Sequence, residues 1–308
     1  MRDRIRLNFA DFWPGFVKTD NFFYNRLVDR FDVEISDHPD FLIFSCYGRT
    51  FRRYDCVRIF YSGENRAADF SECDFAFTFD YLDHPDHFRL PHWVVRYRPE
   101  DFIKPDVDPA ALLAAKSGFC SFVVSNPVGR TRNRFFEKLS RYKQVDSGGR
   151  FRNNVGGPVA DKGAFIARYK FNIAFENSSF PGYTTEKLFD PLVVHSVPIY
   201  WGDPEAARDF DPSCFVALRD GDSEDAFIER IVELDRNDDA YKRYLAAPWF
   251  RGGRIPECAD PEWLLDRFQE IFRAGRRPVA SLPPTPRLLA RRFSGWWARR
   301  QRRKGRVR

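Results

Sequence analysis

The sequence predicts an α/β protein made of two doubly wound, Rossmann-like halves in succession. Short apolar runs alternate with helical patterns along the chain, which is the rhythm of βα units and parallel sheets. A Pro- and Asp-rich stretch at 99–118, "PEDFIKPDVDPAALLAAKSG", interrupts that rhythm as a domain junction would. The 308 residues, 43% of them apolar, are enough to pack two cores.

In the first half, "IRLNFA", "FLIFSC", "VRIFYSG" and "FAFTFD" read as strands, and "NFFYNRLVDRF" as an early helix. In the second, strand "FCSFVVSN" leads to helix "TRNRFFEKLSRY" and a Gly-rich loop, "DSGGRFRNNVGG", that is most simply flexible. Helix "DKGAFIARY", strand "KFNIAFEN", a helix beginning "TEKLFD" and strand "VPIYWG" follow, with Pro191 expected to kink or shorten that helix. Helices "SEDAFIERIVELDR" and "PEWLLDRFQEIFRAG" come last. The expected domains are therefore 1–116, 117–270 and a basic amphipathic tail, 271–308.

Charge is divided unevenly. The net charge is +6, yet no acidic residue follows Glu270 while 13 Lys and Arg do, which leaves residues 1–270 with 37 basic and 44 acidic side chains, net −7. An acidic body disfavours nucleic acid as the partner, since affinity would rest on the tail alone. Residues 287–308 carry ten basic side chains interleaved with Leu288, Leu289, Phe293, Trp296 and Trp297, a pattern suited to lying on an anionic membrane. The six cysteines are scattered without a Cys-x-x-Cys pair, which argues against zinc and disulfides and for a reducing compartment. "MRDRIRLNFADFWPG" lacks a signal peptide's apolar stretch, and no apolar run is long enough to span a membrane, so the expected location is cytoplasmic, peripheral at the inner face of the membrane.

Ligands of open α/β sheets gather at the carboxyl ends of strands. Glu64, after "IFYSG", reads as a general base or as an ordinary loop or cap carboxylate. Arg132 falls in the first turn of a helix that Thr131 is placed to cap, where amides and dipole favour an anion. In "FENSSFPGYTTEKLFD" Thr184 is the expected N-cap, so Lys187 falls in a first turn that disfavours cations unless a phosphate sits beside it. Glu186 is placed to accept from ribose hydroxyls. Two adjacent anion grips suggest a nucleotide diphosphate, although neither G-x-G-x-x-G nor G-x-x-x-x-G-K-[ST] appears. Asp222 or Ser223 in "RDGD" reads as a helix cap, and His84, His87 and His92 are too irregularly spaced for a metal site.

Residues 169–202, "YKFNIAFENSSFPGYTTEKLFDPLVVHSVPIYWG", closely resemble the donor-binding motif of the α-1,3/α-1,4-fucosyltransferase family. Phe171, Phe175, Glu176, Asn177 and Ser178 match F-x-x-x-F-E-N-S. Tyr183, Thr185, Glu186 and Lys187 match Y-x-T-E-K, and Pro198, Tyr200 and Gly202 match V-P-[IV]-Y-x-G. The resemblance implies a GT-B fold of two Rossmann-like domains and one-step inverting transfer of L-fucose from GDP-fucose, with no cofactor or metal required. The implied acceptor is an envelope or lipid-linked glycan, with O3 of N-acetylglucosamine in a Gal-GlcNAc unit as the expected hydroxyl. It further implies that Glu64 matches the base, Arg132 and Lys187 the pyrophosphate grips, and Tyr183 a phosphate contact. Glu186 matches the ribose contact and Asn177 a polar residue of the donor pocket. A transferase of another GDP-sugar, or an inactive sugar-nucleotide-binding relative, is the alternative. The acceptor half transfers no contact residue.

Overall fold

A computed structural model describes residues 2–219 and 221–283, together with Leu289. The described residues form two compact units, 2–96 with 257–283, and 97–256. This division differs from the expected 1–116 and 117–270: the last long helix, assigned to the second half, belongs to the first.

The first unit is built from β1 (Arg4–Ala10), α1 (Phe22–Arg30), β2 (Asp32–Ile35), β3 (Phe41–Phe44), β4 (Val57–Tyr61), β5 (Phe75–Thr78), β6 (His87–Arg89) and α2 (His92–Arg96). Its sheet is parallel throughout, in the order β2-β1-β3-β4-β5-β6. Every residue of β4 and β5 is buried, as in a parallel sheet covered on both faces. Chain order reverses direction between β1 and β3, so the crevice that such sheets offer to ligands opens beyond Ala10 and Phe44.

The second unit contains α3 (Pro109–Ala114), β7 (Gly118–Phe122), α4 (Arg130–Leu139), β8 (Val145–Ser147), α5 (Lys162–Ala167), β9 (Tyr169–Phe175), α6 (Glu186–Val193), β10 (Val197–Trp201), β11 (Val216–Ala217), α7 (Glu224–Arg236) and α8 (Asp238–Ala246). Its sheet is also parallel, ordered β11-β10-β9-β7-β8, with the reversal between β7 and β9. Phe135 of α4 stacks on Phe175 with ring centroids 4.7 Å apart, and Phe136 on Phe122 at 4.8 Å, which seats α4 on the two switch-point strands. The helix α9 (Pro261–Arg273) returns to the first unit. Its Phe268 stacks on Phe77 at 5.0 Å and its Phe272 lies 4.6 Å from Phe41, burial that holds the helix there. Residues 276–281, expected in the tail, are tied down as well: Arg276 pairs with Asp86, and the Val279 amide donates to Asp74 at 2.7 Å. The basic stretch 287–308 lies outside the described residues apart from Leu289.

Local details refine the sequence reading. Gly129, at φ +156, is the N-cap of α4, so Thr131 lies inside the helix. Thr185 caps α6 one residue later than expected, because Thr184 donates to Asp203 at 2.9 Å. Ser223 caps α7. The Gly-rich loop 146–157 is knitted together: Asn154 accepts from the Ser147 amide at 2.7 Å, Asn153 accepts from Gly157 at 2.7 Å, and a Cβ at Gly149 would lie 2.0 Å from the Val124 carbonyl oxygen. Strands β2, β6 and β8 are too short for their alternation to show in the sequence.

The histidines have separate partners. His84 stacks on Phe70 at 3.8 Å, His92 Nδ1 lies 3.0 Å from the Tyr61 hydroxyl, and buried His87 lies 2.8 Å from Thr78 Oγ1. Burial pushes the His87 pKa down to about 4 from 6.5. The unfolded chain therefore binds a proton between these values that the folded chain refuses, so this contribution is present above pH ~6.5 and is lost as pH falls toward ~4. Urea unfolding of the wild type is expected to show about 2 kcal/mol less stability at pH 5 than at pH 7.5 from this residue. His87→Gln should flatten that difference, and an unchanged pH dependence would assign it to other groups.

Candidate active site

The second unit's switch point is organised by Glu176, the residue that follows β9. Its carboxylate is fully buried. It accepts from the Thr185 amide at 2.7 Å, from the Thr185 hydroxyl at 2.8 Å and from Lys187 Nζ at 3.1 Å. Gly202, at φ +155, lets β10 pass close by: a Cβ there would sit 2.4 Å from Glu176 Cγ. Asp203, also buried, accepts from the Gly182 amide at 2.8 Å and the Thr184 hydroxyl at 2.9 Å. The loop 178–185 is thus pinned at its end by two carboxylates and presents buried Tyr183 and half-buried Glu186 and Lys187.

Lys187 is already compensated within the protein. Burial alone would lower its pKa, but the Glu176 and Glu186 carboxylates, 3.1 and 3.5 Å away, outweigh burial and raise it. Burial raises Glu176 in turn, opposed chiefly by Lys187. A cation in the first turn of α6 therefore has a structural cause that the sequence argument missed.

Arg132 differs. It is 1% exposed, and among the described residues no carboxylate pairs with it. Nη2 donates to the carbonyls of Asn126 and Val128 at 2.8 and 3.1 Å, Nη1 donates to Asn177 Oδ1 at 2.9 Å, and Nε finds no acceptor. Burial lowers its pKa, with Glu176 opposing. Since a guanidinium only donates, it fixes the orientation of the exposed Asn177 amide, whose NH2 is left to donate elsewhere. Arg132, Asn177, Glu186 and Lys187 thus gather where strand order reverses, with Tyr183 in the loop beside them. A cavity of about 430 Å³ opens beyond β10, bounded by Ser179, Trp201, Asp203, Phe215, Arg219 and Tyr244, and lined by none of Arg132, Asn177, Tyr183, Glu186 and Lys187.

In the first unit, exposed Glu64 lies just beyond β4, where no helix follows, so it caps none. Its backbone is fixed by Ser62, which accepts from the Glu64 amide at 3.1 Å and donates to its carbonyl at 3.0 Å. Its Oε1 accepts from the Tyr47 hydroxyl at 3.1 Å. A side chain at Gly63 would meet His92 Nδ1 at 2.5 Å, so the approach to Glu64 demands glycine. Among the described residues no group of three or more His, Cys, Asp or Glu is placed to hold a metal, and no helix is long and apolar enough to cross a membrane.

Removing one member of a buried ion pair leaves the other unpaired, typically at a cost of several kcal/mol. Lys187→Met is expected to lower unfolding free energy by about 3 kcal/mol. Adding Glu176→Gln should recover most of it, and a double variant no more stable than the single one would refute the pairing.

Residues 7–96 match the family model "Alpha-(1,3)-fucosyltransferase FucT N-terminal domain", and residues 113–257 match "Glycosyltransferase family 10 (fucosyltransferase) C-term". The α-(1,3)-fucosyltransferase FucT of Helicobacter pylori is 34% identical over 221 residues, covering 60% of this chain and 45% of that protein. The chain thus spans about half the length of this curated relative. A crystal structure of an α1,3-fucosyltransferase with GDP superposes with TM-score 0.78 at 27% identity, over 92% of this chain and 94% of the other. One with GDP-fucose gives 0.77 at 27% identity, over 90% and 92%. With two parallel-sheet units of GT-B type and both family regions present, the chain belongs to the α-1,3-fucosyltransferase family.

Proposed function

We propose that this protein is an inverting fucosyltransferase that moves L-fucose from GDP-fucose to a glycan hydroxyl, with O3 of N-acetylglucosamine in a Gal-GlcNAc unit as the acceptor position. The observation that carries the reading is Arg132, a buried guanidinium with no carboxylate partner among the described residues, standing behind Asn177 at the switch point. Buried charge is costly unless paired, and such groups cluster at sites that receive a charged ligand. The diphosphate of GDP supplies the missing counter-charge.

In the proposed step the acceptor oxygen attacks the anomeric carbon of fucose as the bond from that carbon to the β-phosphate oxygen breaks. The electron pair leaves with GDP, the configuration inverts, and the hydroxyl proton passes to the Glu64 carboxylate and then to water. Arg132, acting through Asn177, and Lys187 stabilise the charge that grows on departing GDP. Tyr183 contacts phosphate and Glu186 the ribose hydroxyls. The domain roles follow: residues from the first unit serve the acceptor and those from the second the donor. A glycan at the inner face of the cytoplasmic membrane fits the composition of residues 287–308, whose basic and apolar side chains suit an anionic surface.

GDP release is the decisive assay, with GDP-fucose and GDP-mannose offered separately, with and without N-acetyllactosamine. Release from GDP-fucose that rises with acceptor is expected; neither release nor binding would overturn the reading. Glu64→Gln should lower kcat by about 10²-fold or more while leaving GDP affinity within about 2-fold. Near-normal turnover would remove Glu64 from the mechanism.

A further inference from the structure

The donor reading leaves unused a group of aromatic side chains at the other switch point. Beyond β1 the chain runs Asp11-Phe12-Trp13-Pro14-Gly15-Phe16. Phe12 and Phe16 stack with centroids 4.0 Å apart. Trp13 stands edge-on to Phe12 at 5.5 Å, to Phe16 at 5.4 Å and to Tyr47 at 6.4 Å. Three edge-to-face contacts fix the indole plane, yet Trp13 remains 40% exposed and Tyr47 50%. Oriented aromatic surface left open to water marks a binding surface more often than scattered single apolar residues do.

The scaffold beneath it is braced. Asp11 adopts φ +58, and its carboxylate accepts from the Thr50 amide at 2.9 Å and the Phe51 amide at 2.7 Å. That ties the loop after β1 to the loop after β3 and brings Trp13 to Tyr47. A Cβ at Gly48 would lie 2.3 Å from Asp11 Oδ1, so the crossing tolerates no side chain. Tyr47 then reaches Glu64 with its hydroxyl at 3.1 Å. Burial first, and the Glu64 carboxylate second, raise the Tyr47 phenol above its ordinary range, so it acts as the donor in this bond.

We propose that Trp13 and Tyr47 form the acceptor subsite of the transferase, Trp13 stacking on the C–H face of the acceptor pyranose and Tyr47 serving as the positioning residue for Glu64. This rests on the fucosyl-transfer reading above. The mixture is what a sugar needs: a pyranose has an apolar face for an aromatic ring and a rim of hydroxyls for a carboxylate. A purely apolar ligand would desolvate Glu64 without a partner, and an anionic one would be repelled by it.

Steady-state kinetics with GDP-fucose and N-acetyllactosamine test the assignment, because the two side chains have opposite signatures. Trp13→Ala should raise the acceptor KM about 10-fold with the donor KM unchanged, and Trp13→Phe should restore most of it. Tyr47→Phe keeps the ring but loses the hydrogen bond to a charged group, so kcat should fall about 10-fold or more with acceptor KM within about 2-fold. An unchanged acceptor KM in Trp13→Ala, equal changes in donor and acceptor KM, or a silent Tyr47→Phe would overturn the proposal. Failure of the wild type to release GDP from GDP-fucose would instead overturn the reading beneath it, before any variant is compared.

Discussion

The switch point of the second unit depends on one buried carboxylate. Glu176 stands at the end of the central strand β9 with no exposed surface, and such a group is tolerable only if its oxygens are hydrogen-bonded and its charge is met. Thr185 supplies both a backbone and a hydroxyl donor, which fixes where α6 begins. Lys187 supplies the charge, which fixes how the first turn of that helix is oriented. Gly202 is required because any larger residue would collide with the same side chain. Helix start, lysine placement and glycine identity are consequences of satisfying one acid.

The two cations of the proposed donor site are held in contrasting ways. Lys187 sits between two carboxylates and is stable without a ligand. Arg132 is buried among carbonyls and one amide, so its charge is hydrogen-bonded but not neutralised. In the proposed reaction this asymmetry has a use. The lysine can keep the loop in shape whatever is bound, while the arginine retains an unspent electrostatic attraction for an anion. Its Asn177 partner converts that attraction into an oriented donor at the surface. Because the carbonyls hold the guanidinium in place beforehand, little reorganisation is needed when charge develops on GDP.

Much of this was legible in the sequence. Parallel-sheet strands such as β4 and β9 are mostly apolar, broken only by Arg58 in the first and by Lys170 and Asn172 in the second, and the loaded residues closely follow them. Arg132, Glu186 and Lys187 stand out in the sequence because helix starts after strands are where α/β proteins keep their chemistry, and the structure brings them to one switch point. What the sequence hid was pairing between distant positions. Nothing in "FENSSFPGYTTEKL" says that Glu176 reaches across nine residues to Thr185, so Lys187 looked unsupported and Thr184 looked like the cap. The return of α9 was hidden for the same reason: its amphipathic pattern shows that one face is buried but not which sheet buries it. Phe268 finds Phe77, 191 positions away in the sequence. Trp13 and Tyr47 are likewise far apart in sequence, and only the Asp11 crossing makes them neighbours.

Each unit uses an acid at a strand end as a brace, but the two braces span different connections. In the second, the acid following β9 reaches over to the backbone amide at the start of α6. In the first, the acid following β1 reaches over to the amides of Thr50 and Phe51, where a short helical turn begins after β3. At a switch point the neighbouring loops diverge to opposite sides of the sheet, so the crevice between them has no backbone hydrogen bonds of its own. In the first unit Asp11 closes that gap by accepting from the orphan amides of the turn after β3. In the second, Arg132 after β7 crosses it by donating to Asn177 after β9, while Glu176 braces the β9–α6 loop itself. The crevice stays open, but its walls become rigid. A transferase must hold donor and acceptor within reaction distance, and walls of this kind fix the placement of the side chains above them. In the second unit the braced loop leads into Tyr183, Glu186 and Lys187, the proposed donor residues. In the first it carries Trp13 and Tyr47, and through Tyr47 it sets the position of Glu64.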